Sequence, residues 1–264
     1  MLKKRASGSA WSWLWFALGA AYFIIPLYAT VDFSLRAKRG ELSLLAYANV
    51  LKDPRFGETF LFSAEMSLLT IVTGIILIVP TAYWIHIRLP KLRPVMEFIT
   101  LLPFVVPAVV LVFGLIRIYS HPPFMLVSSP ALLVAAYLVL ALPYLYRSVD
   151  TGLRSIDIRS LTEAAQSLGA TWPTIIIRVI LPNLRASILS GAFVTFAIVM
   201  GEFTMASLLV WPAFGPYMDL LSSSKIYEPS ALAVISFALT WGTTAAIQLL
   251  SRRIPGQAPM AGLK

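Results

Sequence analysis

Along this chain, stretches of about 20 mostly apolar residues recur, each long enough to cross a bilayer as a helix. The six run from about Trp11 to Val31, Phe60 to Ile85, Val95 to Ile118, Pro130 to Tyr146, Ile188 to Leu209 and Ala231 to Leu250. Lipid offers the backbone no hydrogen-bond partners, so segments of this kind predict helices, and the chain reads as an all-α integral membrane protein. Composition agrees, because 58% of the residues are hydrophobic and only 12% charged, about half the share usual in soluble domains. An ordinary cytosolic enzyme or a free nucleic-acid-binding domain is excluded. The net charge of +9 reflects Lys and Arg kept in cytoplasmic loops, and no nucleic-acid partner is expected.

Lys3, Lys4 and Arg5 ahead of the first span imitate a signal peptide, but the apolar stretch outruns the roughly 7–15 residues of a leader core. A retained helix is expected. With the N-terminus inside, the cytoplasmic side holds 14 of the 21 Lys and Arg, and the outside holds Arg36, Lys38, Arg39, Lys52, Arg55, Arg117 and Lys225. Both termini are then cytoplasmic. The expected organisation is a cytoplasmic tail over residues 1–10, a transmembrane domain over 11–250 and a second tail over 251–264. Pro103, Pro107 and Pro143 fall inside spans, as packing kinks or as breaks that line a cavity.

The stretch from about Asp150 to Arg185 is too charged for lipid, since it holds Asp150, Arg154, Asp157, Arg159, Glu163, Arg178 and Arg185. Within it Leu161, Ala164, Ala165 and Leu168 follow helical spacing. Ser160 with Glu163 three residues on forms a capping box, and Gly169 stands at the expected C-cap. A second short helix starts at Trp172 and Pro173 and is limited by Pro182. A helix of two or three turns is marginal alone in water, so this one is read as a docking helix. A membrane-surface helix would carry a basic polar face and bulky anchors, and this one has neither.

Glu163, Ala164 and Ala165, then Gly169, then Val179, Ile180, Leu181 and Pro182 resemble the EAA loop of ABC importer permeases. With six spans, the resemblance covers residues 11 to 250 and implies a type I, MetI-like permease: six transmembrane helices with a cytoplasmic coupling-helix loop between the fourth and fifth. It further implies a second permease subunit, two copies of an ATPase subunit that use ATP and magnesium, an extracytoplasmic solute-binding protein and a place in the bacterial inner membrane. The chain itself is expected to bind no cofactor and no metal. Carried onto this sequence, Glu163, Ala164, Ala165, Leu168 and Gly169 are the coupling residues.

Overall the sequence is most similar to the spermidine/putrescine permease group, which also includes relatives for iron, thiamine and aminoethylphosphonate. Leu181 to Leu184 and Gly201 to Thr204 carry much of that likeness. In the polyamine reading Glu202 attracts a cationic amine along the path, while the structural alternative pairs it with a helix N-terminus or a basic residue. Trp211, Tyr217 and Asp219, on either side of the Pro212 to Pro216 break, are further pathway residues or an interfacial aromatic belt.

Rival classes fare worse. An intramembrane enzyme lacks support, because the histidines, His86 and His121, sit on different loops and no metal-binding His-Glu-x-x-His is present. His86, beside Arg88, reads as a solvated or headgroup-facing cytoplasmic residue. A secondary transporter would leave the docking helix without a role and usually shows an internal repeat. No phosphate-binding G-x-x-x-x-G-K-[ST] loop occurs, so the energy source is a separate ATPase.

Overall fold

A computed structural model describes residues 10–38, 40–123 and 125–252, with side chains from Trp11 to Gly242. The two expected tails lie almost wholly outside this set. The described chain is a succession of helices: α1 (Ala10–Ser34), α2 (Leu45–Lys52), α3 (Pro54–Ile87), α4 (Arg93–Val105), α5 (Ala108–Tyr119), α6 (Pro130–Arg154) and α7 (Ile158–Ser167). Then come α8 (Trp172–Thr174), a π-helical stretch (Ile175–Ile180) and α9 (Leu181–Asn183), followed by α10 (Arg185–Met200), α11 (Thr204–Leu208), α12 (Phe214–Ser224) and α13 (Glu228–Arg252).

Of the predicted spans, the first, second and fourth are single helices α1, α3 and α6, each long and apolar enough to cross a membrane. The third is broken: Pro90–Val105 and Ala108–Tyr119 meet at 99°. Pro107 is the cause, because the residue before a proline is pushed out of the helical region, and Val106 is extended at φ −87°, ψ 114°. The fifth predicted span, Ile188 to Leu209, also needs correction. Its helix α10 stops at Met200 and is bent by 79° from the run Trp172–Asn183 that precedes it. At 1.5 Å per residue α10 is about 24 Å long, shorter than the hydrocarbon core of about 30 Å. The sixth segment falls within α13, a helix of 25 residues.

By internal packing the chain divides into two units, Met1–Pro54 with Met218–Leu239, and Arg55–Tyr217 with Thr240–Lys264. In the first, Ser34 and Tyr47 share a hydroxyl hydrogen bond of 2.6 Å, Asn49 donates to Glu228 at 3.0 Å and the rings of Phe33 and Tyr227 lie 5.0 Å apart. Trp11, Trp13, Trp15, Phe16, Tyr22 and Phe23 on α1 are exposed, as suits a face toward lipid.

The second unit is built around α6, whose Leu133, Ala136, Tyr137, Ala141, Leu145, Val149 and Leu153 are buried. Its densest packing is against α10. Side chains drive no hydrophobic association inside lipid, so close backbone approach through small residues supplies the contact. A Cβ at Gly191 of α10 would meet Leu145 Cδ1 at 2.8 Å. Ser148 of α6 donates to the Ser187 carbonyl at 2.6 Å across the same crossing. Core packing of α3, α6 and the Trp172–Asn183 run joins Tyr83, Leu145, Leu153, Ile175, Ile180 and Leu184 in one cluster.

Candidate functional site: helix α7 and the Gly201–Tyr217 segment

The charged segment after the fourth span folds as expected into a short helix, but its first turn differs. Asp157, not Ser160, is the N-cap of α7. Its Oδ1 accepts the Ser160 backbone N–H at 3.2 Å and its Oδ2 accepts the Ser160 hydroxyl at 2.7 Å. Ser160 lies inside the first turn, so the predicted capping box with Glu163 does not form. These bonds hold the Asp157 carboxyl below its usual range, because they favour its charged form. A depressed carboxylate adds stability that is present above its ordinary pKa and lost as pH falls through its lower folded value. Protection of the Ser160 and Leu161 amides, taken as their exchange relative to the intrinsic rate at each pH, is therefore expected to hold down to about pH 4 and to fall below it. In Asp157→Ala that protection should already be small at neutral pH, and a pH-independent protection in the native chain would contradict the cap.

The C-terminal end matches the sequence reading. Gly169 takes φ +78°, its N–H donates to Gln166 O at 2.8 Å and the Ala170 N–H donates to Ala165 O at 3.0 Å. That pair of bonds is the Schellman arrangement. It turns the chain sharply into the run that starts at Trp172.

The expected apolar stripe is divided between two faces. Ile158, Thr162 and Ala165 are buried against the helical bundle, and the Thr162 hydroxyl bonds Tyr83 of α3 at 3.0 Å. Ala165 therefore does not share an outward docking face with Leu168. Glu163, Ala164, Leu168 and Gly169 are exposed, and Leu168, at 89%, is the most exposed large hydrophobic side chain among the described residues. Beside them a cleft of about 290 Å³ is lined by Ile87, Arg88, Arg159, Thr162, Glu163, Gln166 and Trp172. Arg88 lies 5.3 Å over the Trp172 ring, and Trp172 packs on Trp84 at 4.7 Å. The aromatic contacts anchor the second arm of the loop to the end of α3.

His86 also departs from its expected place. Its side chain is 7% exposed and Nε2 lies 2.7 Å from Asp150 Oδ1. Arg154 meets the other Asp150 oxygen at 2.7 Å and Glu97 at 3.1 Å, and Arg93 approaches both His86 and Asp150. No motif in the sequence marks this cluster, whose one trace there is the Asp150 and Arg154 spacing, four residues on one helix.

Of the predicted pathway residues, Glu202, Trp211 and Tyr217 come together in one segment of the second unit. Asp219 is exposed on α12 and belongs to the first unit. Glu202 is 9% exposed. Its Oε1 accepts the Met205 N–H at 2.7 Å and its Oε2 accepts the Ala206 N–H at 3.1 Å, so its carboxylate caps α11. The helix-terminus pairing named as the structural alternative is present in these two bonds. The buried Tyr137 of α6 neighbours the same carboxylate. This capping also explains why the fifth span ends early, because the chain must leave α10 at Gly201 for the side chain to reach the next helix.

Trp211 stacks on Phe62 of α3 at 5.7 Å. Tyr217 is buried with Phe214, and the Arg55 guanidinium lies 6.0 Å over its ring. The Phe214 N–H donates to Ser63 Oγ at 2.8 Å, which fixes the start of α12 against α3. Gly215 packs so tightly on the Glu202 carbonyl that any Cβ would overlap it. Gly215→Ala is accordingly expected to cost about 1–3 kcal/mol, read as a lower Tm in detergent. An unchanged Tm would mean that the Gly201–Phe203 break yields freely.

Residues 71–254 match the family described as the inner membrane component of binding-protein-dependent transport systems, and the chain belongs to that family. That family is one of multi-pass inner-membrane transport components, not of enzymes. The chain is 26% identical over 179 residues to the spermidine/putrescine transport system permease protein PotB of Salmonella typhimurium, covering 62% of this chain and 61% of that one. A probable molybdenum ABC transporter permease protein of Haloferax volcanii is 32% identical over 139 residues, 50% of this chain and 51% of that one. The chain thus spans about three fifths or less of the length of these relatives. Among solved structures, a bacterial ABC transporter involved in the import of the acidic polysaccharide alginate shares the fold at a TM-score of 0.70 and 16% identity. That match covers 92% of this chain and 96% of the other.

Proposed function

We propose that the chain is the membrane subunit of an ATP-driven importer, with α7 and its Gly169 turn docking on a separate ATPase. The observation that carries this reading is α7 itself: one face is pinned to the bundle through Thr162 and Ala165, while Leu168 is left 89% exposed at its tip. An exposed leucine beside exposed Glu163 and Ala164 fits a surface that a partner covers. A second permease subunit, two ATPase copies and an extracytoplasmic binding protein complete the assembly in this reading. Both termini face the cytoplasm, where the majority of the Lys and Arg then lie. ATP closes the ATPase pair, the two coupling helices approach and the spans reorient, a population shift that requires different contacts in the two states.

The solute in this reading is a polyamine, supported by the likeness to the spermidine/putrescine permease protein PotB. Glu202 then holds the segment around Trp211 and Tyr217 in place, and does not itself bind the cargo. A metal oxyanion is the second reading, favoured by the molybdenum permease likeness. The test is ATPase activity of the reconstituted complex with its binding protein, comparing spermidine and putrescine with molybdate, iron, thiamine and aminoethylphosphonate. Stimulation by a polyamine alone supports the first reading. Stimulation only by another solute keeps the importer and discards the polyamine.

A further inference from the structure

We infer that Asp150, with His86, Arg93, Glu97 and Arg154, is the positioning joint through which movement of α7 reaches α3 and α4. The inference rests on the coupling reading of α7. Asp150 is one turn before the end of α6, and its carboxylate is 10% exposed. Its two oxygens are divided: Oδ1 toward His86 of α3 at 2.7 Å and Arg93 of α4 at 3.8 Å, Oδ2 toward Arg154 of α6 at 2.7 Å. Arg154 continues to Glu97 of α4 at 3.1 Å. Three helix ends are therefore fastened at one carboxylate.

The spacing makes these contacts an interlocked set. On α3, Tyr83 holds Thr162 of α7, and His86, one turn further on the same face, holds Asp150 of α6. On α4, Arg93 and Glu97 are again one turn apart and grip His86 and Arg154. The link from α6 to α7 is short and stiffened, because the Ser155 hydroxyl and backbone N–H both donate to the Gly152 carbonyl and Asp157 caps α7. A push on α7 thus has no slack segment in which to dissipate before it meets the cluster.

Stability alone does not account for such a cluster, since buried ion pairs are often no more stabilising than well-packed apolar residues. Ionic contacts do fix one discrete geometry among several helix ends, which a smooth apolar surface would not. Salt-bridge networks that lock rigid helices together are among the structures that carry coupling between sites.

The test compares Asp150→Asn, Arg154→Gln and the Glu97→Gln/Arg154→Gln double variant in the full complex. Expected for the first two is retained ATPase binding and hydrolysis, with solute moved per ATP reduced by about tenfold. The double variant should equal Arg154→Gln alone, because the two residues act through one contact. Since the chain has no cysteine, nitroxide labels at Ser167→Cys and Phe98→Cys report the joint directly. The native chain should give one narrow distance that persists on ATP binding, and Asp150→Asn should broaden it. Native solute per ATP with a narrow distance in the variants would overturn the inference. If Asp150→Asn does not fold, the half-exposed Arg154 carries the same test. Failure of the coupling reading is separable, because Leu168→Asp would then leave ATPase binding intact whatever the label distances show.

Discussion

Gly169→Pro is expected to abolish ATP-driven uptake while the chain still inserts and folds. The reason is conformational. Gly169 sits at φ +78°, a region proline cannot enter because its ring fixes φ near −65°. Proline would also remove the N–H that donates to Gln166 O. No atom lies within 4 Å of a Cβ built at this position, so side-chain volume as such is not the obstacle. A graded series follows. Asn, which tolerates the left-handed region, should retain most uptake; Ala should lose some, and Val more, since an L-residue there costs roughly 1–2 kcal/mol. The measurement is initial uptake rate in proteoliposomes for Asn, Ala, Val and Pro at equal incorporation. An order that follows side-chain size and not left-handed tolerance would contradict the turn, as would normal uptake in Gly169→Pro.

Glu202→Ala should be the most destabilising single change in the Gly201–Tyr217 segment. It leaves the Met205 and Ala206 amides, both buried, without their acceptors, at about 1–3 kcal/mol for each. Glu202→Gln distinguishes capping from cargo binding. Its side-chain carbonyl can still accept one of the two amide bonds, so it should keep a near-native fold and most of the uptake. If the carboxylate instead bound a cationic solute, Gln would raise the solute concentration for half-maximal uptake as strongly as Ala while leaving Tm unchanged. Tm and uptake measured on both variants decide between the two roles.

How much of this was legible in the sequence differs by element. Helix existence was, because apolar runs of bilayer length leave the backbone few alternatives. The breaks were not, because proline marks a place where a helix can bend without saying whether neighbours will accept the bend. Pro107 produces a 99° turn, whereas Pro143 stays inside α6. The Gly169 turn was legible from local chemistry alone. The N-cap was misassigned, since Asp157 and Ser160 are both good caps and local pattern cannot rank them. The facing of Ala165 and Leu168 depended on which side of α7 the bundle occupies. Thr162 settled it through Tyr83, 79 residues away in sequence, a contact no periodicity encodes. The same holds for His86 and Asp150, 64 residues apart.

Docking of the outward tip of α7 on an ATPase subunit can be read with a photo-reactive maleimide at Leu168→Cys, because the chain has no other cysteine. In the assembled complex, illumination should join the label to the ATPase subunit from position 168 and from exposed Ala164→Cys, and not from a label at Phe23→Cys on α1. Loss of the adduct at both α7 positions, or an equal yield from Phe23, would contradict docking through α7.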